Sequence, residues 1–133
     1  MLLALGVAAL VAVEGSGQGA ATRMVPSPPN PEWMEVGDTD GGRGFIDKRS
    51  VSLANGLVNY VGRILINRPA DYGGAIEIVH RGEINCAAHT YRTLAYDTLG
   101  PNGAVLYSRT TPDEPRTIGA NSPNDDLYKQ YCR

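Results

Sequence analysis

The residues able to do chemistry in this chain are few, and their spacing narrows what they can do. Cys86 and Cys132 are the two cysteines, and Cys86-Ala87-Ala88-His89, with His80 close by, has the look of a metal site. A metal would need the Cys86 thiolate, and two histidines alone make an incomplete shell. Asp38-Thr39-Asp40-Gly41-Gly42 offers closely spaced carboxylates and glycines, as calcium loops do. It has neither the third acidic position nor the distant glutamate of an EF-hand, and Asp and Gly are ordinary turn residues. Ser50, Ser52, Ser108 and Ser122 carry hydroxyls, yet none stands in a nucleophile-elbow sequence. No phosphate-cradling glycine loop precedes a helix. These residues predict no catalytic centre, no cofactor and no metal. The two cysteines read as one disulfide, with two free buried thiols as the alternative. Closing so long a loop removes roughly 4 kcal/mol of denatured-state freedom.

The elements that must position these residues are mostly strands. Trp33 to Val36 and Phe45 to Asp47 read as a hairpin around the turn-rich Gly37–Gly42. Leu57 to Asn67 sorts with period two: Val58, Tyr60, Ile64 and Ile66 on one parity, Asn59, Arg63 and Asn67 on the other. That alternation predicts a half-buried strand, with Gly62 as a bulge or a point of close approach. Ala75 to His80, Ala87 to Asp97 and Ala104 to Arg109 give three more strands, the last two split by Gly100-Pro101-Asn102-Gly103. Near the end, Ser122 or Asn121 caps a helix with Pro123, Asp125 and Asp126 in its first turn, residue types that suit that end. The predicted fold is α+β: an antiparallel meander of about six strands with a C-terminal helix tied to the sheet through Cys132 and Cys86.

Leu57, Val61 and Leu65 make the second face of the long strand apolar as well. We expect that face to be partly covered by the C-terminal helix or by another subunit, with Arg63 marking its polar margin. Leu57, Val61, Arg63 and Leu65 are therefore the candidate interaction surface. Seven tyrosines against one Phe and one Trp also suit an interface, because tyrosine combines contact area with a polar tip. The competing account is that Tyr60, Tyr91 and Tyr96 fill a small core.

Compartment follows from the other end. Leu2 to Val13 is an apolar run of signal-peptide length, short for a bilayer span, and Gly19-Ala20-Ala21 supplies small residues for cleavage after Ala21. No Lys or Arg precedes the run, and a buried N-terminal helix is the alternative. No cysteine lies near the cleavage zone, which argues against a lipid anchor. The expected organisation is a signal peptide at 1–21, a proline-rich tail at 22–31 and one domain at 32–133, with no membrane span after cleavage. A formal net charge of −2 with interspersed signs excludes the electrostatic footprint of a nucleic-acid or anionic-membrane binder.

Trp33-Met34-Glu35-Val36-Gly37, followed by Gly44-Phe45-Ile46-Asp47-Lys48-Arg49-Ser50-Val51, resembles the opening of the surface-adhesin protein E-like family of Gram-negative bacteria. Asn85-Cys86, Tyr91-Arg92-Thr93-Leu94, Ile118-Gly119-Ala120-Asn121-Ser122 and Cys132 resemble its later segments in order. Ala120-Asn121 stands where the family tends to Pro-Gly, and Tyr60 where tryptophan is frequent. The resemblance implies an antiparallel sheet with a disulfide-fastened helix, exported to the periplasm or the cell surface, and in the namesake an adhesin for host matrix proteins. The functional expectation is a small exported, non-enzymatic, protein-binding module whose partner is host matrix or another envelope protein. The alternative is a structural or accessory envelope subunit that associates with itself as a homo-oligomer.

Overall fold

Period-two sorting of β-branched and aromatic residues builds a single antiparallel sheet in the computed structural model, which describes residues 22–39 and 41–132. The expected signal peptide, Asp40 and Arg133 lie outside the described residues. The strands are β1 (Trp33–Thr39), β2 (Gly42–Asp47), β3 (Ser52–Ala54), β4 (Leu57–Ile66), β5 (Glu77–Asn85), β6 (Thr90–Leu99), β7 (Val105–Arg109) and β8 (Arg116–Thr117), followed by helix α1 (Pro123–Tyr131). The main path runs β1-β2-β4-β5-β6-β7; β3 adds to the β4 edge beside β2, and β8 adds to β6 beside β7. The α+β meander is thus present, with two short strands that the sequence reading passed over.

Strand boundaries differ from the expectation for local reasons. The first hairpin is longer, because Gly37, Asp38 and Thr39 stay paired with Gly44, Arg43 and Gly42. A bulge at Val36 absorbs the irregularity that Gly37, at φ 98°, permits. The expected strands at 75–80 and 87–97 are one long hairpin, 77–85 with 90–99. Its turn is closed by His89 N–H donating to Asn85 O and Ala88 N–H to Asn85 Oδ1. Ala87 and Ala88 therefore sit in the turn, not in a strand.

Each sheet face has its own apolar cluster. On one face Ile46, Val58, Tyr60 and Ile84 pack with Ile118 and with Leu127 of α1, beside Cys86 and Cys132. On the other, Val79, Ala95 and Leu99 pack around Val25, with Val61 and Val105 at the margin. The helix lies on the Val58/Tyr60 parity. This corrects the expectation that it covers the Val61 face: Cys86 follows the end of β5, where Ile84 opposes Val58, so the disulfide draws α1 to that side.

The Val61 face is closed instead by the proline-rich segment. Val25 is fully buried, and its N–H and that of Met24 donate to the Asp97 carboxylate at 2.8 and 3.0 Å. Ser108 Oγ donates to the same carboxylate. A buried carboxylate needs such donors, and these are what fasten the segment down as a strap.

Candidate functional site

Gly62 and Gly82 make the helix face hospitable to rings. Gly62 opposes His80, and Gly82 opposes Tyr60, across the β4–β5 ladder. A Cβ at Gly82 would run into the Tyr60 ring and one at Gly62 into the His80 ring, so each ring takes the space above the neighbouring strand's glycine. The two rings meet edge to face with centroids 6.1 Å apart. Gly62 is the point of close approach that the sequence suggested; the bulge is elsewhere.

Tyr60 Oη donates to Asn124 Oδ1 at 3.0 Å, which joins the floor of the sheet to the first turn of α1. Burial pushes the pKa of that hydroxyl up. Ser122 caps the helix by accepting Asp125 N–H at 3.2 Å, and Asp125 in turn accepts Asn121 N–H at 2.9 Å and pairs with Lys129 at 3.2 Å. These bonds hold the Asp125 carboxyl below its ordinary pKa, the Asn121 N–H contributing most. The cap and Pro123 follow the sequence expectation. Cys86 and Cys132 are joined, with Cα atoms 5.5 Å apart.

From the first turn of α1 outward the helix face stays open. A cavity of about 280 Å³ lies between Thr39, Ile64, Tyr60, Tyr91 and Asn124, with His80 in its wall. A second, of about 310 Å³, continues past Ile64, His80 and Thr93 to Tyr72, Ile78 and Tyr96. Ile64, His80 and Thr93 border both, so the two are lobes of one groove. The Tyr107 ring, 56% exposed, extends the wall by leaning on Tyr96 at 5.9 Å. Burial lowers the His80 pKa to about 4, so its imidazole is neutral at pH 7.

The residues singled out for chemistry are dispersed. His80 is in the groove, whereas His89 lies in the β5–β6 turn, edge to face with Tyr128 at 4.3 Å between centroids and with Nε2 4.0 Å from Asp125. Among the described residues no three of His, Cys, Asp and Glu gather as a metal set. Ser50 Oγ donates to Asp47 O and accepts Val61 N–H, Ser108 serves Asp97, and Ser122 caps the helix. Asp38 is exposed opposite Arg43. Hydroxyls committed to such bonds hold the fold together.

Leu57, Val61, Arg63 and Leu65 do share one face and are half-buried. Val61 abuts the cluster under the strap, and Arg63 pairs with Glu77 at 2.9 Å while its guanidinium lies 5.2 Å from the Trp33 ring and 5.9 Å from the Phe45 ring. The groove residues Ile64, Ile78 and Tyr96 are absent from the candidate surface, although Tyr96 is one of the tyrosines weighed for core or interface. Their signal was present in the parity they share with Tyr60 and His80, but only the register places them side by side.

A model of the surface-adhesin protein E family matches residues 33–133. Among solved structures, the chain is similar to protein E from non-typeable Haemophilus influenzae, with a TM-score of 0.57 and 11% sequence identity over 84% of this chain and 82% of that one. At such identity the likeness is one of fold. No curated protein matches the chain in sequence.

Proposed function

Because this chain belongs to the surface-adhesin protein E family, we propose that it is an exported, non-enzymatic module that binds another protein at the envelope surface. The observation that carries the reading is the groove that α1 leaves open on its own face of the sheet, walled by Tyr91, Tyr96, Tyr72 and His80 and floored by Ile64. Tyrosine walls over an apolar floor are the composition of a binding patch, offering contact area at small entropic cost. Serines tied into structural bonds and dispersed histidines fit a binder better than a catalyst. Among the described residues no helix is long and apolar enough to cross a membrane. The partner is a host matrix protein or another envelope protein, and the signal peptide at 1–21 delivers the domain that binds it.

The test is surface plasmon resonance against a panel of purified extracellular-matrix proteins. At least one should bind wild type, and Ile64→Arg, which puts a charge in the groove floor, should abolish that binding while the fold persists. Binding of none, or binding indifferent to Ile64→Arg, would send the search elsewhere. Leu57, Val61, Arg63 and Leu65 are then the next surface to try, with Val61 lying against the cluster under the strap.

A second reading, self-association, is favoured by β7. This edge strand of five residues carries Leu106 and Tyr107 at 49% and 56% exposure and contains neither proline nor lysine to blunt it. Antiparallel addition of a second copy along β7 would pair its open backbone groups. Sedimentation of wild type against Tyr107→Pro decides: a dimer dispersed by the proline supports the reading, and a wild-type monomer at high micromolar concentration ends it.

A further inference from the structure

We propose that the groove beside His80 seats an uncharged aromatic side chain with a hydrogen-bonding tip, tyrosine or tryptophan, projecting from the protein partner. This rests on the groove being the binding surface, and it names the residue type that enters it.

The argument begins with charge. Arg63 borders the first lobe, but its side chain is turned to the opposite face, where Glu77 holds it at 2.9 Å. Asp113 borders the second lobe and is engaged by Arg109 at 3.0 Å. An ionised side chain entering the groove would leave water without meeting a free counter-charge, and burying a charge on those terms is expensive. The occupant is therefore neutral.

Shape and polarity narrow it further. Lobes of about 280 and 310 Å³, meeting at Ile64, His80 and Thr93, have room for a ring between tyrosine walls. A hydrocarbon ring would satisfy the walls and nothing else. His80 makes no hydrogen bond at either nitrogen among the described residues, and its Nδ1 and the Thr39 hydroxyl are buried polar atoms without partners, both on residues bordering the first lobe. Tyr60, which meets His80 edge to face, already donates to Asn124. Its neutral imidazole leaves His80 able to accept from a phenol O–H or an indole N–H. An imidazole nitrogen with no partner among the described residues is one that such a donor can engage and that a leucine or phenylalanine cannot. Tyrosine and tryptophan are also the side chains that most often anchor protein interfaces in pockets.

The experiment is an amide-resolved NMR titration of the full chain with N-acetyl-tyrosinamide and N-acetyl-tryptophanamide, against N-acetyl-leucinamide and N-acetyl-lysinamide. The two aromatic amides should produce saturable shifts at Ile64, His80 and Thr93, and the other two none. His80→Phe, which keeps a ring and removes the acceptor, should weaken the aromatic amides about fivefold. Thr93→Trp, placed where the lobes join, should fill the groove and abolish the shifts; retained dispersion of the amide spectrum reports that each variant is folded. Equal shifts from leucinamide, no saturable shift with either aromatic amide, or indifference to His80→Phe would overturn the proposal. Matrix-protein binding that survives in Thr93→Trp would remove this anchor and leave the adhesin reading standing. Saturable aromatic shifts in a chain that binds no matrix protein would do the reverse.

Discussion

Two side chains set the energetic character of the faces, and both belong to β-strands. His80 has its pKa lowered from 6.5 to about 4 by burial. The unfolded chain takes up a proton near pH 6.5 and the folded one does not, so this residue's contribution is intact above pH 6.5 and is lost as pH falls towards 4. The loss amounts to up to about 3 kcal/mol. Chemical denaturation between pH 7 and pH 4.5 should show it in wild type and a much flatter profile in His80→Phe; parallel profiles would mean that His80 is hydrated in the fold. Asp97 governs the opposite face. Removing its carboxylate in Asp97→Ala orphans the Met24 and Val25 N–H groups and the Ser108 hydroxyl. A stability loss of about 2–4 kcal/mol should follow, together with faster tryptic cleavage after Arg23 as the strap lifts. Unchanged cleavage would show that Val25 alone holds the segment.

At the scale of elements, α1 is a nine-residue helix that depends on its attachments. So short a helix is marginal by itself, and Leu127, the Ser122 cap and the disulfide supply what propensity cannot. Ser122→Ala should cost about 1 kcal/mol by releasing Asp125 N–H. Replacing Cys86 and Cys132 together with serine, which opens a loop with a sequence separation of 46, should cost about 4 kcal/mol. Circular dichroism with hydrogen exchange should find α1 amides loosened before those of β5 and β6 in the double variant. Uniform loosening would mean that the bond stabilises the sheet as much as the helix.

At the scale of the molecule, one sheet is closed by a different device on each side: a disulfide-tethered helix on one, a proline-rich strap on the other. The helix covers only part of its face, which leaves the groove; the strap plugs its face with a single valine. Val61→Asp places a charge beside Val25, Val79 and Ala95. It should destabilise the fold by about 1–3 kcal/mol while matrix-protein binding through the groove persists in the folded fraction. Lost binding at full stability would move the interaction surface to the Val61 side.

The sequence by itself determined what depends on neighbours along the chain. Alternation from Leu57 to Ile66 specified a strand, Ser122-Pro123 with Asp125 and Asp126 specified a helix start, and two cysteines behind an export-like apolar run favoured a crosslink over free thiols. It did not determine which face the helix covers, because both parities of β4 are apolar and period-two sorting cannot rank them. That choice was made by register: Ile84 opposes Val58 and stands two residues before Cys86, so the crosslink selects the Val58 side. Nor did TRMVPSPPNP show itself as part of the core, since Val25 is one apolar residue among prolines and its partner Asp97 lies 72 positions away. The groove was out of reach for the same reason. Its residues come from β1, β2, β4, β5, β6, the first turn of α1 and the loops before β5 and after β7, and only antiparallel pairing across the whole sheet puts His80, Ile64 and Thr93 around one space.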